Sequence, residues 1–418
     1  MKYDKILSVL KFTMGDKELS VIRAEVNEFI EKLRKKLSRA NIEIFVGGSY
    51  AKGTMVNSKI KDVDIFVRFS KIDEKALKLL ESALEEICKS DNLKIEIVHG
   101  SRNYYRIIKN DFVFEIVPIL KIKKPQDSEN VTDLSYFHVK YIKSRIDKKI
   151  ANEISIAKTF CKAIEVYGAE SYIRGFSGYA LECLLIHYKS FIKMLNGLAY
   201  AEEKEVIDVE KAYRSKKEAL LNINESRQQS PIVVVDPVWK ERNVTAALSN
   251  ESFKTFQVAA RKFLKSPSKK FFEHNVFNAD EFRVNAEKKG NQYICIELMT
   301  DKQAGDIAGT KLKKFSEFLK TKVEEYFDIQ NEKFVYNDKK TAYLHLSVKP
   351  KKSILRKGPP TKMQDECAIF RSKYNKIFEQ NGRLNAFVPG YLNIKAFVKD
   401  FEEKYSKTIR EMDIIGIS

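Results

Sequence analysis

The spacing of apolar residues over the first 120 positions alternates between helical and strand patterns. Apolar residues recur with a 3.6-residue period over 17–37 and over 74–89, which predicts two amphipathic helices. Short apolar runs predict strands at 42–46, 63–69, 93–98, 104–108 and 112–119. This order is typical of an α/β or α+β domain, and a charged, Pro-containing stretch predicts that the domain ends near residue 143.

The pattern changes twice further along the chain. Helical periodicity over 135–167 and 178–198 predicts a mostly helical second region, with a strand-like run at 232–235. From residue 288 a third region predicts a β-α-β-β unit, which suits a small open sheet with a helix on one face. Its strands and helix are expected at 293–299, 312–326, 333–336 and 341–348.

Composition narrows the class of protein. The 418 residues are 44% apolar, which predicts two or three packed domains and excludes a disordered chain. Lysine and arginine (76) exceed aspartate and glutamate (57) by 19 charges. That surplus suits a polyanionic partner such as nucleic acid, or simply a solvated lysine-rich surface. The basic segment 349–352 has the same two interpretations, phosphate contact or surface linker, and the linker is the commoner one.

Cysteine usage and hydropathy bear on location. The five cysteines are far apart and include no C-x-x-C pair, which favours a reducing compartment. The most apolar stretch, 179–188, contains Glu182 and is too short to span a membrane. The N-terminus lacks the features of a signal peptide. We therefore expect a cytoplasmic protein without a membrane span.

A glycine-rich turn follows the first predicted strand, in the sequence Val46-Gly-Gly-Ser-Tyr-Ala-Lys-Gly-Thr54. Glycines allow close backbone approach, and free amides with the Ser49 hydroxyl and the Lys52 ammonium would suit a triphosphate. Taken alone, a tight turn at a capped helix start is the commoner explanation of such a short motif.

Three acids occupy apolar strand patterns. Asp62 and Asp64 are two residues apart, so a strand places both carboxylates on one face while the residues between and after them enter the core. Glu115, in the later run Phe112-Val-Phe-Glu-Ile-Val117, is a third acid that can face the pair. Such oxygen ligands suit Mg²⁺, and three of them can hold two metal ions for in-line displacement at phosphorus. The alternative is a set of exposed acids on an amphipathic edge strand.

Together these motifs resemble the DNA polymerase beta-like nucleotidyltransferase superfamily. Three further segments resemble signatures of the archaeal-type, class I CCA-adding enzymes, which are tRNA nucleotidyltransferases. These are Tyr167-Gly-Ala-Glu170, Arg174-Gly-Phe-Ser-Gly-Tyr179 and Val234-Val-Asp-Pro-Val-Trp-Lys-Glu-Arg-Asn-Val244. The resemblance is dense from about residue 40 to 270 and looser towards the end.

The resemblance implies an α+β multidomain fold. It would comprise a catalytic head with a mixed sheet (1–143), a mainly helical neck that recognises the base (144–262), and an α+β body and tail that bind tRNA (263–418). The implied reaction is template-independent addition of C, C and A to the tRNA 3′ end from CTP and ATP. Two Mg²⁺ ions, or Mn²⁺, are implied as cofactors, and family members can form homodimers.

The resemblance also assigns residues by position. Asp62, Asp64 and Glu115 would be the catalytic metal ligands. The nucleotide-binding residues would be Ser49, Lys52, Arg102, Ser135, His138, Lys158, Tyr167 and Arg242. Because Lys158 and Tyr167 are nine positions apart, they share a site only if the helix ends between them.

Two of these assignments have open alternatives, and two depart from the family pattern. His138 is equally well explained as a satisfied or exposed histidine, and Arg242 as a structural partner of Asp236 or Glu241. Lys52 stands where arginine is common. Glu115 stands where aspartate is usual, so its carboxylate extends about 1.5 Å further, one bond length.

Other functions remain possible on the same motifs. A poly(A) polymerase, or an enzyme that adds only C or only A, would differ in its choice of nucleotide. A non-catalytic RNA-binding protein on this scaffold would be expected to have lost one of the acids, and all three are present.

Overall fold

The computed structural model describes residues 3–38, 42–98, 102–273, 277–337 and 339–418. The chain divides into two compact units, Met1–Asn275 and Val276–Ser418. Every residue assigned above to catalysis or nucleotide binding lies in the first unit. The domain borders expected at residues 143 and 262 both lie inside this unit, and they stay predictions.

The first unit begins with an α+β region. Its elements are α1 (Asp4–Leu7), α2 (Asp16–Lys36), β1 (Glu43–Val46), α3 (Gly48–Lys52), β2 (Lys61–Phe69), α4 (Glu74–Asp91), β3 (Ile95–Val98), β4 (Tyr104–Lys109) and β5 (Phe112–Leu120). The five strands form one mixed sheet in the order β1-β2-β5-β4-β3. Only β2 and β5 are parallel; the other pairs are antiparallel. The predicted elements are therefore confirmed, within a few residues at each end.

One face of this sheet packs on the two long helices. In α2, Ile22, Val26 and Leu33 recur at helical spacing and are buried, and α4 buries Leu80 and Leu84 in the same core. On the sheet side, alternate residues of β2 and β5 enter this core, which leaves the intervening acids on the opposite face.

The rest of the first unit is mainly helical, as predicted. It contains α5 (Ser135–Arg145), α6 (Lys148–Ala163), α7 (Gly178–Tyr188), α8 (Phe191–Leu198), β6 (Glu205–Asp208), α9 (Lys216–Asn222), β7 (Ile232–Val235) and α10 (Asn250–Lys265). The short strands β6 and β7 pair in parallel. The helical pattern over 178–198 forms two helices, because Lys189 adopts a left-handed φ of 65° that ends α7 and the Ser190 side chain caps α8.

The second unit contains the predicted β-α-β-β order. Its elements are α11 (Ala279–Lys288), β8 (Gln292–Met299), α12 (Asp306–Glu324), β9 (Phe327–Tyr336), β10 (Thr341–Pro350), β11 (Ile354–Pro360), α13 (Gln364–Lys373), β12 (Ile377–Gln380), β13 (Arg383–Val388), α14 (Ile394–Lys404), α15 (Ser406–Glu411) and β14 (Gly416–Ile417). Four antiparallel strands form the sheet β14-β8-β10-β9, and β11, β13 and β12 form a second sheet.

The segment expected to be a basic linker is only partly one. Lys349 and Pro350 continue β10, where they pair with β9. Lys351 follows the strand, and its ammonium donates to the Glu324 carbonyl at 2.5 Å. The linker therefore begins later than its charge pattern suggested, because the strand continues through the first two of these residues.

Among the described residues, none of the helices combines the length and the apolar character that crossing a bilayer requires.

Candidate active site

Three carboxylates lie on the open face of the mixed sheet, on the two parallel strands. Asp62 and Asp64 are on β2, with Val63 between them fully buried. In the parallel register, Asp64 is the partner of Glu115 on β5. We call Asp62, Asp64 and Glu115 the acid row. The two-residue spacing places Asp62 and Asp64 on one face, as the sequence predicted, and the register of β2 with β5 adds Glu115 to that face.

The glycine-rich turn packs against this row. The Gly47 amide donates to the Asp64 carbonyl at 2.8 Å, which joins the turn to β2. Gly48 has a φ of 60°, and a Cβ on it would lie 1.6 Å from Oδ2 of Asp64. Only glycine combines that backbone angle with so close an approach. The turn therefore brings backbone directly onto a carboxylate of the acid row.

Burial and like charge disfavour ionisation of the acid row. Burial, with repulsion from Glu115, raises the pKa of Asp64 to about 6. Burial also raises the pKa of Asp62, against the attraction of Lys162. It raises the pKa of Glu115 as well, although the Arg106 guanidinium donates to Glu115 Oε1 at 3.0 Å. Arg106 lies directly opposite Glu115 on β4. A cation near these carboxylates would relieve their repulsion.

The donor chemistry of the acid row fits a hard divalent cation. Carboxylate oxygens on adjacent strands are the ligands that Mg²⁺ prefers. Within the described part of the chain, no three His, Cys, Asp or Glu side chains converge closely enough to hold a metal ion as they stand. Glu115 is directed to Arg106 instead. The three carboxylates therefore have the donor chemistry that Mg²⁺ requires, and Glu115 accepts a hydrogen bond from Arg106 on β4.

A second charged group lies beneath the glycine-rich turn. The buried Glu182 carboxylate on α7 accepts from Lys52 Nζ at 2.6 Å through Oε2 and from Lys158 Nζ at 2.8 Å through Oε1. The Thr54 hydroxyl also donates to Oε1 at 2.8 Å. We call Lys52, Thr54, Lys158 and Glu182 the lysine cluster. Two ammonium groups against one carboxylate leave it with a positive surplus.

The electrostatics of the lysine cluster are opposite to those of the acid row. Burial works to raise the pKa of Glu182, but the two lysines outweigh it and lower this pKa to about 2. Burial lowers the pKa of Lys158, while Glu182 opposes that change. The carboxylate is thus firmly ionised and helps to keep a buried ammonium charged.

Tyr167 joins Lys158 because α6 ends at Ala163, between the two residues. A Cβ on Gly178, at the start of α7, would lie 3.0 Å from the Tyr167 hydroxyl and 3.8 Å from Lys158 Nζ. Both side chains therefore approach the same helix start. The condition that the sequence set for this pair, a helix end between them, is confirmed.

His138 and Arg242 meet at the buried carboxylate of Asp236. Arg242 Nη1 donates to Asp236 Oδ2 at 2.6 Å, and His138 Nε2 lies 3.5 Å from the same oxygen. The Tyr179 hydroxyl donates to Oδ1 at 3.0 Å, and its ring stacks on His138 at 3.9 Å between centroids. We call these four residues the Asp236 cluster. The structure contains the Asp236 partner offered above as the alternative for Arg242.

A cleft lies beside the Asp236 cluster. It has a volume of about 370 Å³, and Arg242 and Trp239 are among its lining residues. Arg242 is about one-fifth exposed, so it is anchored on Asp236 and still borders open space. An ion pair with Asp236 and a contact with a ligand are therefore compatible functions for this arginine.

The positions of the remaining predicted residues say less about how a nucleotide would bind. Arg102 donates to the buried Asp133 carboxylate at 2.5 Å, which also accepts the Leu120 amide at 2.8 Å. Ser49 lies in α3, next to Gly48, and is partly exposed. Ser135 is the first residue of α5. Ser49 therefore belongs to the glycine-rich turn, whereas Arg102 stabilises the chain around Asp133.

Two side chains that support the site were not predicted from the sequence. Arg106 was not singled out, and only the strand pairing reveals that it faces Glu115. Glu182 appeared only as an interruption of an apolar stretch. That was a usable signal, because a lone charge inside an apolar helix requires a buried partner of opposite charge.

Two families of known domains match the first unit. Residues 3–157 match the family described as "Second Messenger Oligonucleotide or Dinucleotide Synthetase domain". Residues 152–273 match "tRNA nucleotidyltransferase, second domain". The first match covers the acid row and the glycine-rich turn, and the second covers Lys158, Glu182 and the Asp236 cluster apart from His138.

Solved structures with a similar fold include a cytoplasmic RNA terminal U-transferase, at a TM-score of 0.50 and 14% identity. That match covers 66% of this chain and all of the other. A structure of the Cid1 poly(U) polymerase has a TM-score of 0.50 and 13% identity, and covers 66% of this chain and 98% of the other. At such low identity the likeness shows the fold alone.

Curated relatives are more similar in sequence. The CCA-adding enzyme of Nanoarchaeum equitans is 34% identical over 86% of this chain and 87% of its own length. The CCA-adding enzyme of Saccharolobus shibatae is 31% identical over 74% of this chain and 69% of its own length. The CCA-adding enzyme of Methanocaldococcus jannaschii is 29% identical over 92% of this chain and 86% of its own length. Since identity at this level extends over most of both chains, this chain belongs to the family of CCA-adding enzymes, as its motifs suggested.

Proposed function

We propose that this protein adds C, C and A to the 3′ end of tRNA from CTP and ATP, without a nucleic-acid template. The observation that carries the proposal is the register of Asp64 against Glu115, with Gly48 packed on Asp64. These contacts place the acid row, which can bind cations, beside the glycine-rich turn, which suits a phosphate group. The family membership then supplies the acceptor, because the relatives are CCA-adding enzymes.

The triphosphate would bind between the turn and the lysine cluster. Ser49 and Lys52 lie on α3 directly after Gly48, and Lys158 and Tyr167 approach from the helical region. The positive surplus of the lysine cluster is complementary to a polyphosphate. We assign Ser49, Lys52 and Tyr167 to contact with the triphosphate, and Lys158 to the buried positive charge behind them, since Glu182 and Thr54 engage its ammonium.

The reaction joins two substrates at phosphorus. The terminal ribose hydroxyl of the tRNA releases its proton to solvent and forms a bond to the α-phosphorus, the bond from this phosphorus to the bridging oxygen of the β-phosphate breaks, and pyrophosphate leaves. Asp62, Asp64 and Glu115 would hold two Mg²⁺ ions, or Mn²⁺, which supply positive charge to the attacking and leaving oxygens. The residues of this chain bind and orient both reactants and contribute little covalent chemistry.

Base selection is assigned to the Asp236 cluster. Asp236 holds one nitrogen of the Arg242 guanidinium, and the arginine side chain lines the neighbouring cleft. A planar fork held in this way can satisfy acceptors on cytosine or adenine while excluding other bases by position. The surplus of positive charge along the chain would bind the tRNA backbone. A cytoplasmic location and a homodimer stay predictions.

The proposal is tested with a tRNA that lacks its last three nucleotides. Purified protein and Mg²⁺ are incubated with each labelled nucleoside triphosphate singly, then with CTP and ATP together, and products are resolved on a gel. We expect two C residues from CTP alone and one further A when both are present. A long A tail or no extension would contradict the proposal.

Asp62→Asn should abolish extension. Asp111→Asn is the matched control, because Asp111 is an exposed carboxylate in the turn before β5, outside the acid row. It should extend tRNA as the unaltered protein does.

A further inference from the structure

Glu182 has no assigned function in the reaction, yet it lies at the centre of the lysine cluster. Its side chain is completely buried in the middle of α7, among apolar neighbours. A buried carboxylate without partners would be strongly destabilising, so its contacts explain why it is present. All of those contacts are with residues next to the proposed triphosphate site.

The two oxygens of Glu182 have different partners. Oε2 accepts from Lys52, and Oε1 accepts from both Lys158 and the Thr54 hydroxyl. The carboxylate therefore bridges three elements: α3 with the chain that follows it, α6, and its own helix α7. A neutral side chain of the same size cannot attract both ammonium groups in this way.

The two lysines differ in the donors they have left. Lys158 donates to Glu182 Oε1, to the Thr54 hydroxyl at 2.9 Å and to the Thr54 carbonyl at 3.3 Å. An ammonium has three hydrogens, so these contacts engage all of them. Among the described residues, Lys52 donates one hydrogen bond, to Glu182, and it lies at the edge of the cluster with 9% of its side chain exposed. Lys52 is therefore the ammonium better placed to accept a ligand.

We propose that Glu182 is a positioning residue that holds the Lys52 ammonium, braced by Lys158 and Thr54, in place for the phosphates of the incoming nucleotide. This inference rests on the proposed function, because it assigns a support to the same triphosphate site. Glu182 does not contact the substrate. Because Glu182 already holds the Lys52 side chain, that side chain loses less conformational entropy when the nucleotide binds. The Glu182 carboxylate also reduces the repulsion between the ammonium groups of Lys52 and Lys158.

The test compares Glu182→Gln with the unaltered protein in equilibrium binding, without tRNA. The ligands are CTP, ATP and inorganic triphosphate, which carries no base. We expect the dissociation constant for all three ligands to rise about tenfold, since a charge-assisted contact is lost or misplaced. The affinity for tRNA and the kcat for nucleotide addition should change much less than the KM for CTP and ATP.

Glu153→Gln is the matched control. Glu153 is a partly buried carboxylate on α6 that accepts the Phe191 amide at 2.6 Å, at the start of α8, rather than an ammonium of the lysine cluster. Its replacement should lower the melting temperature without changing triphosphate affinity. A purely structural Glu182 would give that same pattern, so unchanged triphosphate binding by Glu182→Gln would overturn the inference.

Glu182→Asp covers the case in which Glu182→Gln does not fold. It keeps the charge but shortens the side chain by one bond, so it cannot bridge both lysines at the present distances. We expect a smaller loss of affinity in the same direction, and unaltered affinity would again overturn the inference. Extension of tRNA by the unaltered protein is measured in parallel, because its absence would refute the proposed function and leave the binding result to decide the function of Glu182.

Discussion

The acid row and the lysine cluster both adjoin the glycine-rich turn, the first from the sheet and the second from α6 and α7, yet their charges are arranged in opposite ways. In the acid row, like charges adjoin one another, and the pKa of Asp64 is raised to about 6. In the lysine cluster, unlike charges alternate, and the pKa of Glu182 is lowered to about 2. The first arrangement opposes the stability of the free protein, and the second supports it. This contrast indicates that the acid row is retained for chemistry, whereas the lysine cluster joins a binding site to the fold.

The largest expected effect is on catalysis, from Asp64→Asn. We expect nucleotide addition to fall at least about 10³-fold, the equivalent of about 4 kcal/mol, because the cations would lose a central ligand. Stability should be unchanged or slightly higher, since repulsion with Glu115 is removed. Single-turnover addition and thermal melting of the same preparation measure both. A large loss of stability would mean that the acid row is structural.

Lys158→Met should show the reverse balance. It removes one of the two ammonium partners of a buried carboxylate, and we expect a loss of stability of about 3 kcal/mol, because Glu182 then retains only Lys52 and the neutral Thr54 hydroxyl among these contacts. Urea unfolding measures the change. The KM for CTP and ATP should also rise. If the protein is as stable as before, Glu182 is not held by this lysine.

Arg242→Lys separates shape from charge in the Asp236 cluster. Lysine can still pair with Asp236 but lacks the planar fork, so we expect the preference for CTP over UTP to fall about tenfold with the fold retained. The ratio of the two kcat/KM values measures this preference. Undiminished preference would show that Arg242 is only the structural partner of Asp236.

The smallest expected effect comes from Glu115→Asp, which shortens the third carboxylate of the acid row by one bond. The shorter side chain retreats from Arg106, and we expect activity to change by about threefold or less, under 1 kcal/mol. The ratio of activities in Mg²⁺ and Mn²⁺ should shift with it. If Glu115→Asp loses as much activity as Asp64→Asn, the reaction requires the longer side chain of glutamate at this position.

Much of the fold and of the acid row was predictable from local pattern. The period-2 spacing of Asp62 and Asp64 within a buried strand fixes which face they occupy, whatever the sheet order. The third acid needed the pairing of β2 with β5, which no local pattern determines. The local pattern likewise does not show where α7 ends and α8 begins, because the apolar helical period continues across Lys189.

The supporting contacts of the site were the least predictable part. Lys52 and Glu182 are separated by 130 positions, and their pairing depends on how α7 packs beneath the glycine-rich turn. Arg106 meets Glu115 only through the register of β4 with β5. Motifs identify residues that contact substrates, whereas the residues that hold them in place are recognised from tertiary structure.

The central claim is that the acid row transfers a defined set of nucleotides to tRNA, and counting the pyrophosphate released per tRNA tests it most directly. With a tRNA lacking its last three nucleotides, we predict two pyrophosphates from CTP alone, three from CTP with ATP, and none with Asp64→Asn. Release that continues with ATP well beyond three per tRNA, or that persists with Asp64→Asn, would contradict the account.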